Sequence, residues 1–426
     1  MLSRYVVYAC NAISLMVLTR LFNPEIFGVV AATLTIVTLF QMVAEGGLSP
    51  TIINLQDLEV RNRNGIFGLS LLIAGALAIT MQLLAPALAH FYNMPQVRQI
   101  VPYVAFALFA NTAAVLPLAQ LQRQQYFKRI AQAGIIAEIG SLGSTLTAYF
   151  YLPALHAYAL YFPSKAALNF LTNWYYSKET EFGRPIPGAH FSAIKPLLNT
   201  TGFQLGFNFV NYFSRNLDSI LVGKYLGANM LGVYDRSYRL MRYPLLILTF
   251  AMTPAIQPAL RGIIHDKNTV SRLHRDLAFK LSVAGSLAAV GVYFFAKYIV
   301  LIAFGNQWLS VVPIVKLLAL IIPVQTILST SGSFFQAFNR TDLMFSTGIT
   351  WTIFNVAAIT FGIWKGSLEA LCWSLFFSFH VNFLQIYYIM HKNILEGNYI
   401  LFLKSVWPFI ITTSILASIS AMNFSF

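Results

Sequence analysis

The chain has 426 residues, of which 57% are hydrophobic and 10% charged, with a formal net charge of +14 and a mean hydropathy of +0.66. A soluble domain carries about 25% charged residues, so this composition excludes a soluble enzyme and points to an integral membrane protein. Barrel strands of about ten residues with strict polar/apolar alternation are absent, which leaves a polytopic, all-α membrane protein.

Apolar segments near the roughly 20 residues that a helix needs to cross a bilayer recur in order at Leu2–Thr19, Phe27–Ile52, Ile66–Ala89, Val101–Leu121, Ile130–Tyr151, Ala157–Tyr176, Leu197–Val222, Leu231–Leu260, Leu277–Phe304, Val311–Phe335, Leu343–Ile363, Leu368–Met390 and Ile400–Ala421. These predict about thirteen spans, with ends uncertain by several residues. Pro117, Pro163, Pro244, Pro254 and Pro323 fall within or near span interiors. They predict kinks or breaks where neighbouring protein satisfies the freed backbone groups.

The basic residues follow the loops. One set of alternate loops holds Arg61, Arg63, Arg123, Lys128, Arg129, Lys178, Arg184, Lys195, Arg261, Lys267, Arg272, Arg275, Lys280, Arg340, Lys392 and Lys404, and the other only Arg20, Arg98, Lys224, Lys297 and Lys365. This asymmetry places the N-terminus in the cytoplasm, and an odd number of spans then leaves the C-terminus outside. The positive charge is thus read as an orientation signal and not as affinity for nucleic acid. Cys10 and Cys372 both lie in spans, and neither these nor the histidines His90, His156, His190, His265, His274, His380 and His391 make a metal-ligand spacing. No cofactor is expected.

The longest loop, Ser177–Pro196, is rich in charge, Gly and Pro and is read as a linker. The expected organisation is an N-terminal lobe at 1–176, the linker at 177–196, a C-terminal lobe at 197–391 and an extra C-terminal helix at 392–426. The lobes repeat. RLFNPEIFGVV at Arg20–Val30 aligns without a gap to KYLGANMLGVY at Lys224–Tyr234, and Val101–Val104 matches Val312–Val315. Six helices per copy is an even number, which predicts parallel repeats.

The segment Asn211–Pro244 sets charge into apolar surroundings, and charge at membrane depth costs roughly 2.5–3.5 kcal/mol on insertion scales. Arg215 and Asp218 are three apart on one helical face, Asp235 is four before Arg239, and Arg236, Arg239 and Arg242 form a cationic stripe. Lys165 and Lys316 add positive charge in other spans, while Glu45 and Glu138 are the acidic residues in the first lobe's spans. One reading is a cationic cavity for a phosphate-bearing or acidic-sugar substrate, because the arginine fork donates paired hydrogen bonds to phosphate oxygens. The other is interhelical pairing and snorkelling. Glu45 and Glu138 are the candidates for ion coupling. There is no phosphate-cradling glycine loop, no defensible catalytic triad and no loop large enough to present an enzyme's active site, so a transporter is expected.

Those residues carry a resemblance. RNLDSILVGKYLGANMLGVYDRSYRLMRYPL, with LTRLFNPEIFGVVA, AEGGLSPTII and FGNQWLSVVPIVKLLAL, is similar in order and spacing to Wzx-type polysaccharide flippases, in the branch of the colanic acid exporter. These belong to the multidrug/oligosaccharidyl-lipid/polysaccharide exporter superfamily. The resemblance implies two six-helix lobes around a central cavity and translocation of undecaprenyl-pyrophosphate-linked oligosaccharide by alternating access in the bacterial inner membrane. It also implies partners among polymerase and chain-length machinery. Asp218, Gly223, Gly227, Gly232, Tyr234 and Tyr238 match the family signature, and Arg215 falls where relatives are often basic or polar. The chain departs from the pattern in lacking the usual N-terminal lead and in ending after a thirteenth helix. A cation-coupled drug exporter of the same superfamily is the alternative, followed by a membrane polymerase or ligase.

Overall fold

The computed structural model describes residues 2–45, 59–190, 209, 212–213, 215–249 and 253–423. Every regular element among them is helical. The chain divides into two compact units, Met1–Gly232 and Val233–Phe426.

The first unit holds α1 (Leu2–Leu21), α2 (Pro24–Glu45), α3 (Val60–Tyr92), α4 (Gln96–Ala113), α5 (Val115–Arg123), α6 (Phe127–Tyr149), α7 (Ala154–Ala159) and α8 (Tyr161–Tyr176). Residues 215–225 are also helical. The turn between α1 and α2 is written in its residues. The Asn23 carboxamide oxygen accepts from the Ile26 N–H at 3.0 Å, and Pro24 occupies the first helical position, where no N–H is needed. At the far end of α3, Asn93 takes a left-handed conformation (φ 54°) and its N–H caps Ala89 and His90. Within this unit α3 lies along α4, α6 along α8, α4 against α8, and α1 against α6.

The second unit receives α9 (Gly227–Thr249), which begins in the first, and adds α10 (Thr253–Leu260), α11 (Lys267–Ala303), α12 (Val311–Ala319), α13 (Ile322–Leu328), α14 (Ser331–Ala337), α15 (Thr341–Trp364), α16 (Leu368–Met390), α17 (Tyr399–Ser405) and α18 (Trp407–Asn423). Asp266 caps α11, accepting from the Thr269 hydroxyl at 2.6 Å and the Thr269 N–H at 3.0 Å. Those two bonds hold its carboxyl below the ordinary aspartate value. α15 lies along α16, and α11 packs against α12, α13 and α18. Small residues make these approaches possible. A Cβ on Gly285 would sit 2.9 Å from the Pro323 Cα and 3.1 Å from the Thr326 hydroxyl. Such close packing replaces the hydrophobic driving force that lipid does not supply.

Several spans read as single segments are broken, and the prolines explain where. Pro117, Pro163, Pro323 and Pro408 each lie in the first turn of the segment after a break, in α5, α8, α13 and α18. There the missing N–H leaves no internal hydrogen bond unmade. Pro244, in contrast, lies inside the continuous α9. Six helices among the described residues are long and apolar enough to cross a membrane, or eight if the pairs α12 with α13–α14 (47° bend) and α17 with α18 (61°) count as one span each. The segment Leu368–Met390 coincides with its expected span.

The described part of the expected linker, 177–190, is a strap seated on α3. The Gly188 N–H donates to the Asn64 carbonyl at 2.9 Å, the Ile186 N–H donates to the Asn64 side chain at 3.2 Å, and the Trp174 indole donates to the Pro185 carbonyl at 3.0 Å. Gly65 and Gly68 leave the space, since a Cβ on either would strike the carbonyl of His190 or Gly188. The Arg129–Glu179 ion pair (2.8 Å) ties the strap's start to α6. Gly68→Leu is expected to lift this strap, raising the rate of limited chymotryptic cleavage after Phe182 by at least about tenfold, the shift that about 1.4 kcal/mol of local destabilisation produces. An unchanged rate would show that the backbone contact does not hold it.

Candidate functional site

In the first unit the structure draws Glu138 and Lys165 into one node. Glu138 lies on α6 with its side chain 1% exposed, and Lys165 on α8 is 38% exposed. The ammonium reaches the carboxylate at 2.6 Å, the Tyr161 hydroxyl donates to its other oxygen at 2.7 Å, and Ser14 of α1 bonds it as well. Lys165 also donates to the Asn11 side-chain oxygen at 3.0 Å and to the Tyr161 hydroxyl at 3.2 Å. Three helices thus converge on one buried carboxylate. Each charge has the partner that burial demands.

Also in this unit, Arg215 is exposed and Asp218 is nearly buried. The Asp218 carboxylate accepts from the Ser219 N–H at 2.7 Å, and Arg215 has no carboxylate within ion-pair distance among the described residues, so the three-residue spacing does not become a pair. Lys224 sits over the Phe91 ring at 4.0 Å, a cation–π contact. The side chain of Glu45 lies outside the described residues.

The two copies of the repeat motif meet reciprocally. A Cβ on Gly28 would strike the Ala228 carbonyl and sit 3.0 Å from the Gly232 nitrogen. A Cβ on Gly232 would strike the Pro24 carbonyl and sit 3.1 Å from the Gly28 nitrogen. Gly28 and Gly232 are aligned positions of the repeat, as are Pro24 and Ala228. The contact therefore has equivalent repeat positions on both sides, related by a local twofold, and the α2 and α9 backbones touch directly.

In the second unit, Asp235 on α9 gathers two guanidiniums. Arg236 (side chain 7% exposed) grips Oδ2 through Nη2 and, at 2.9 Å, through Nε, and Arg239 (54% exposed) reaches both carboxylate oxygens at 3.2 Å. Spacing announced the Asp235–Arg239 pair but not the grip between sequence neighbours. Arg242 lies 6.0 Å from the Tyr238 ring centroid, and Lys316 on α12 lies 5.4 Å from that of Tyr293. The Tyr293 hydroxyl accepts from Ser420 at 3.0 Å.

A second feature of this unit is an open groove of about 650 Å³ between α16 and α18, lined by Phe376, Phe377, His380, Phe409, Thr413 and Ser418 among others. Among the described residues no cluster of three or more His, Cys, Asp or Glu could hold a metal ion.

A family model described as a polysaccharide biosynthesis protein matches residues 17–313, from α1 into α12. The chain belongs to this family. Among proteins to which this family member is similar are the lipopolysaccharide biosynthesis protein WzxC of Escherichia coli (strain K12), 22% identical over 413 residues covering 95% of this chain and 82% of that protein, and the succinoglycan biosynthesis transport protein ExoT of Rhizobium meliloti (strain 1021), 24% identical over 379 residues covering 87% and 75%. The fold is that of the lipid II flippase MurJ (TM-score 0.73, 13% identity, 98% of each chain) and of a multidrug resistance MATE family transporter of the MOP superfamily (TM-score 0.64, 12% identity, 91% and 94%). The expected all-α, two-lobe fold is thereby established.

Sequence reasoning missed parts of the site in this family member. Tyr161 was legible in principle, because it lies one helical turn before Lys165. Asn11 and Ser14 carried only the weak signal of polar side chains in an apolar helix. Also missed was a buried pair, His274 and His391, whose ring centroids are 5.3 Å apart; they are 117 positions apart in the sequence and no spacing connects them.

Proposed function

We propose that this protein flips oligosaccharide units linked to an undecaprenyl-pyrophosphate carrier across the bacterial inner membrane, for assembly of a surface polysaccharide. The observation that carries the reading is the arginine cluster on α9. Asp235 anchors Arg236 and Arg239 at fixed positions while Arg239 stays half-exposed, and Arg215 is exposed nearby in the sequence. Such groups recognise a pyrophosphate through paired N–H donors. WzxC and ExoT, by their names, serve polysaccharide biosynthesis and transport, and MurJ flips lipid II. The groove between α16 and α18 suits the carrier's isoprenoid chain, being apolar with aromatic walls.

The lobes are read as 1–176 and 197–391, joined through 177–196, with 392–426 appended. The N-terminus faces the cytoplasm, and polymerase and chain-length proteins are the partners that would consume the product. Lys165 and Glu138 act here as one paired unit that holds α1, α6 and α8. Lys316 contributes positive potential, and Glu45 remains a coupling candidate. The alternative cation-coupled drug exporter is disfavoured because, of the two acidic groups it could use in the first lobe, Glu45 and Glu138, the second is already held by Lys165.

In a strain deleted for the gene, Arg215→Ala and Arg236→Ala are expected to lower surface polysaccharide at least about tenfold at normal membrane abundance, the loss that one charge-assisted phosphate contact of about 1.5–3 kcal/mol supports. Lysine at either position should rescue only in part. Wild-type polysaccharide in the alanine variants would overturn the assignment.

A further inference from the structure

His274 on α11 and His391, at the end of α16, are each 1% exposed. Both His274 ring nitrogens and the Nε2 of His391 have no hydrogen-bond partner among the described residues. The His391 Nδ1 lies 2.8 Å from the Tyr387 carbonyl. Around His274 stand the rings of Phe334 from α14 (4.7 Å between centroids), Tyr387 from α16 (5.4 Å) and Phe402 from α17 (5.2 Å, stacked). Phe402 also lies 4.6 Å from His391. One aromatic residue of α17 therefore packs on both imidazoles.

The backbone at this place is irregular. His391–Leu395 winds as one turn of π-helix, a form that is rare and concentrates at functional sites. Glu396 follows at φ 47°, a left-handed conformation that costs a non-glycine residue energy. The Gly397 N–H then turns back to the His391 carbonyl at 3.1 Å, and a Cβ on Gly397 would crowd the Ser271 hydroxyl of α11. The joint between α16 and α17 is thus wound around His391 and pressed onto α11 beside His274.

The charged and titratable groups around the pair are few. On α11, Arg275 acts electrostatically on both histidines, and Lys267 binds Glu396 of the joint. Lys392 lies over Tyr388, Arg340, paired with Asp342 at 2.9 Å, donates to the Asn393 carbonyl of the π turn at 3.4 Å, Tyr387 and Tyr399 present rings, and α14 presents Phe334. The carboxylate at this joint is engaged by Lys267, and Arg275 adds like charge. An imidazolium formed here would be buried beside a guanidinium without a counter-ion in contact, a state that a packed cluster cannot hold.

We propose that His274 and His391 form a proton-binding site that fastens the α16–α17 joint to α11 while both are neutral and releases it when either takes up a proton. Release moves Phe402 and with it α17, the element that meets α18 at a 61° bend. The site is separate from the arginine cluster and does not depend on the identity of the transported molecule.

The test is amide hydrogen exchange of residues 385–405 in the purified full-length protein in detergent, between about pH 8 and about pH 5, corrected for the intrinsic pH dependence of exchange. In the wild type, protection across this segment is expected to fall at least about tenfold as the pH drops through the imidazole range, while residues 60–92 keep theirs. His274→Phe, which refills the aromatic cluster with an uncharged ring, and His391→Gln should each make the fall shallower, and the two together should abolish it. Protection in the wild type that does not change with pH overturns the proposal, whether or not the variants fold. So does a profile that persists unchanged in both variants.

Discussion

A Gly232→Leu variant is expected to reach the membrane at normal levels and to export essentially no polysaccharide, and Gly28→Leu to behave in the same way. The two glycines face each other across the local twofold, with their nitrogens 3.0 and 3.1 Å from the position a Cβ would take on the other side. The atom struck first is in each case a backbone carbonyl, of Ala228 or Pro24. A flexible side chain could turn away, but a helical carbonyl cannot, so α2 and α9 would have to separate. Overpacking of this kind costs roughly 1–3 kcal/mol or more, which changes the population of the contacting state at least about fivefold. Export that depends on this contact would stall. Alanine already supplies the clashing Cβ and should produce most of the effect. Gly291→Leu is the control, because nothing lies within 4 Å of its Cβ position. Surface polysaccharide measured beside membrane abundance checks the prediction, and normal export by Gly232→Leu would remove the contact from the mechanism.

Lys165→Ala should have the second large effect, and on stability as well as transport. It leaves Glu138, 1% exposed, with its hydroxyl donors but without its cation. Stranding a buried charge costs about 3–5 kcal/mol. The lower end applies here because Lys165 is 38% exposed, so part of its field is already screened. The double variant Lys165→Ala with Glu138→Gln should recover most of that loss, since a neutral amide can keep the Tyr161 and Ser14 contacts. Thermal melting of the detergent-purified protein reads both. If Lys165→Ala melts with the wild type, the pair contributes nothing to the fold and its geometry must serve transport alone. If export returns together with stability in the double variant, the node is structural.

Much of the architecture was legible because its signals are local. Span length, the asymmetry of basic loops and the proline positions are read residue by residue, and Pro117, Pro163 and Pro323 fall where helices break. The repeat was legible because the turn residues of RLFNPEIFGVV and KYLGANMLGVY match in register, though not that the two copies would touch. That required knowing that Gly28 and Gly232 lie on facing helices. The α9 charges were legible by helical spacing, as the Asp235–Arg239 pair shows. Arg215 and Asp218 show where spacing stops: two residues can share a face while one is exposed and the other is turned into the protein. Glu138 with Lys165, and His274 with His391, lay beyond sequence reasoning, because both pairs join helices whose contact only tertiary packing creates. The linker illustrates the same limit. Its composition says linker, but Gly65 and Gly68 on a different segment provide the bed that holds residues 186–190.

The account stands most directly on whether the protein moves a lipid-linked oligosaccharide between leaflets. Purified protein would be reconstituted into vesicles containing a fluorescent undecaprenyl-pyrophosphate-linked disaccharide, with the label on the outer leaflet destroyed by a membrane-impermeant quencher. The account predicts that the wild type brings nearly all the label within reach of the quencher, and that Arg236→Ala and Gly232→Leu leave about half of it protected, as protein-free vesicles do. Protection of the same half in wild-type vesicles, with uptake of a lipophilic cation in its place, would contradict it.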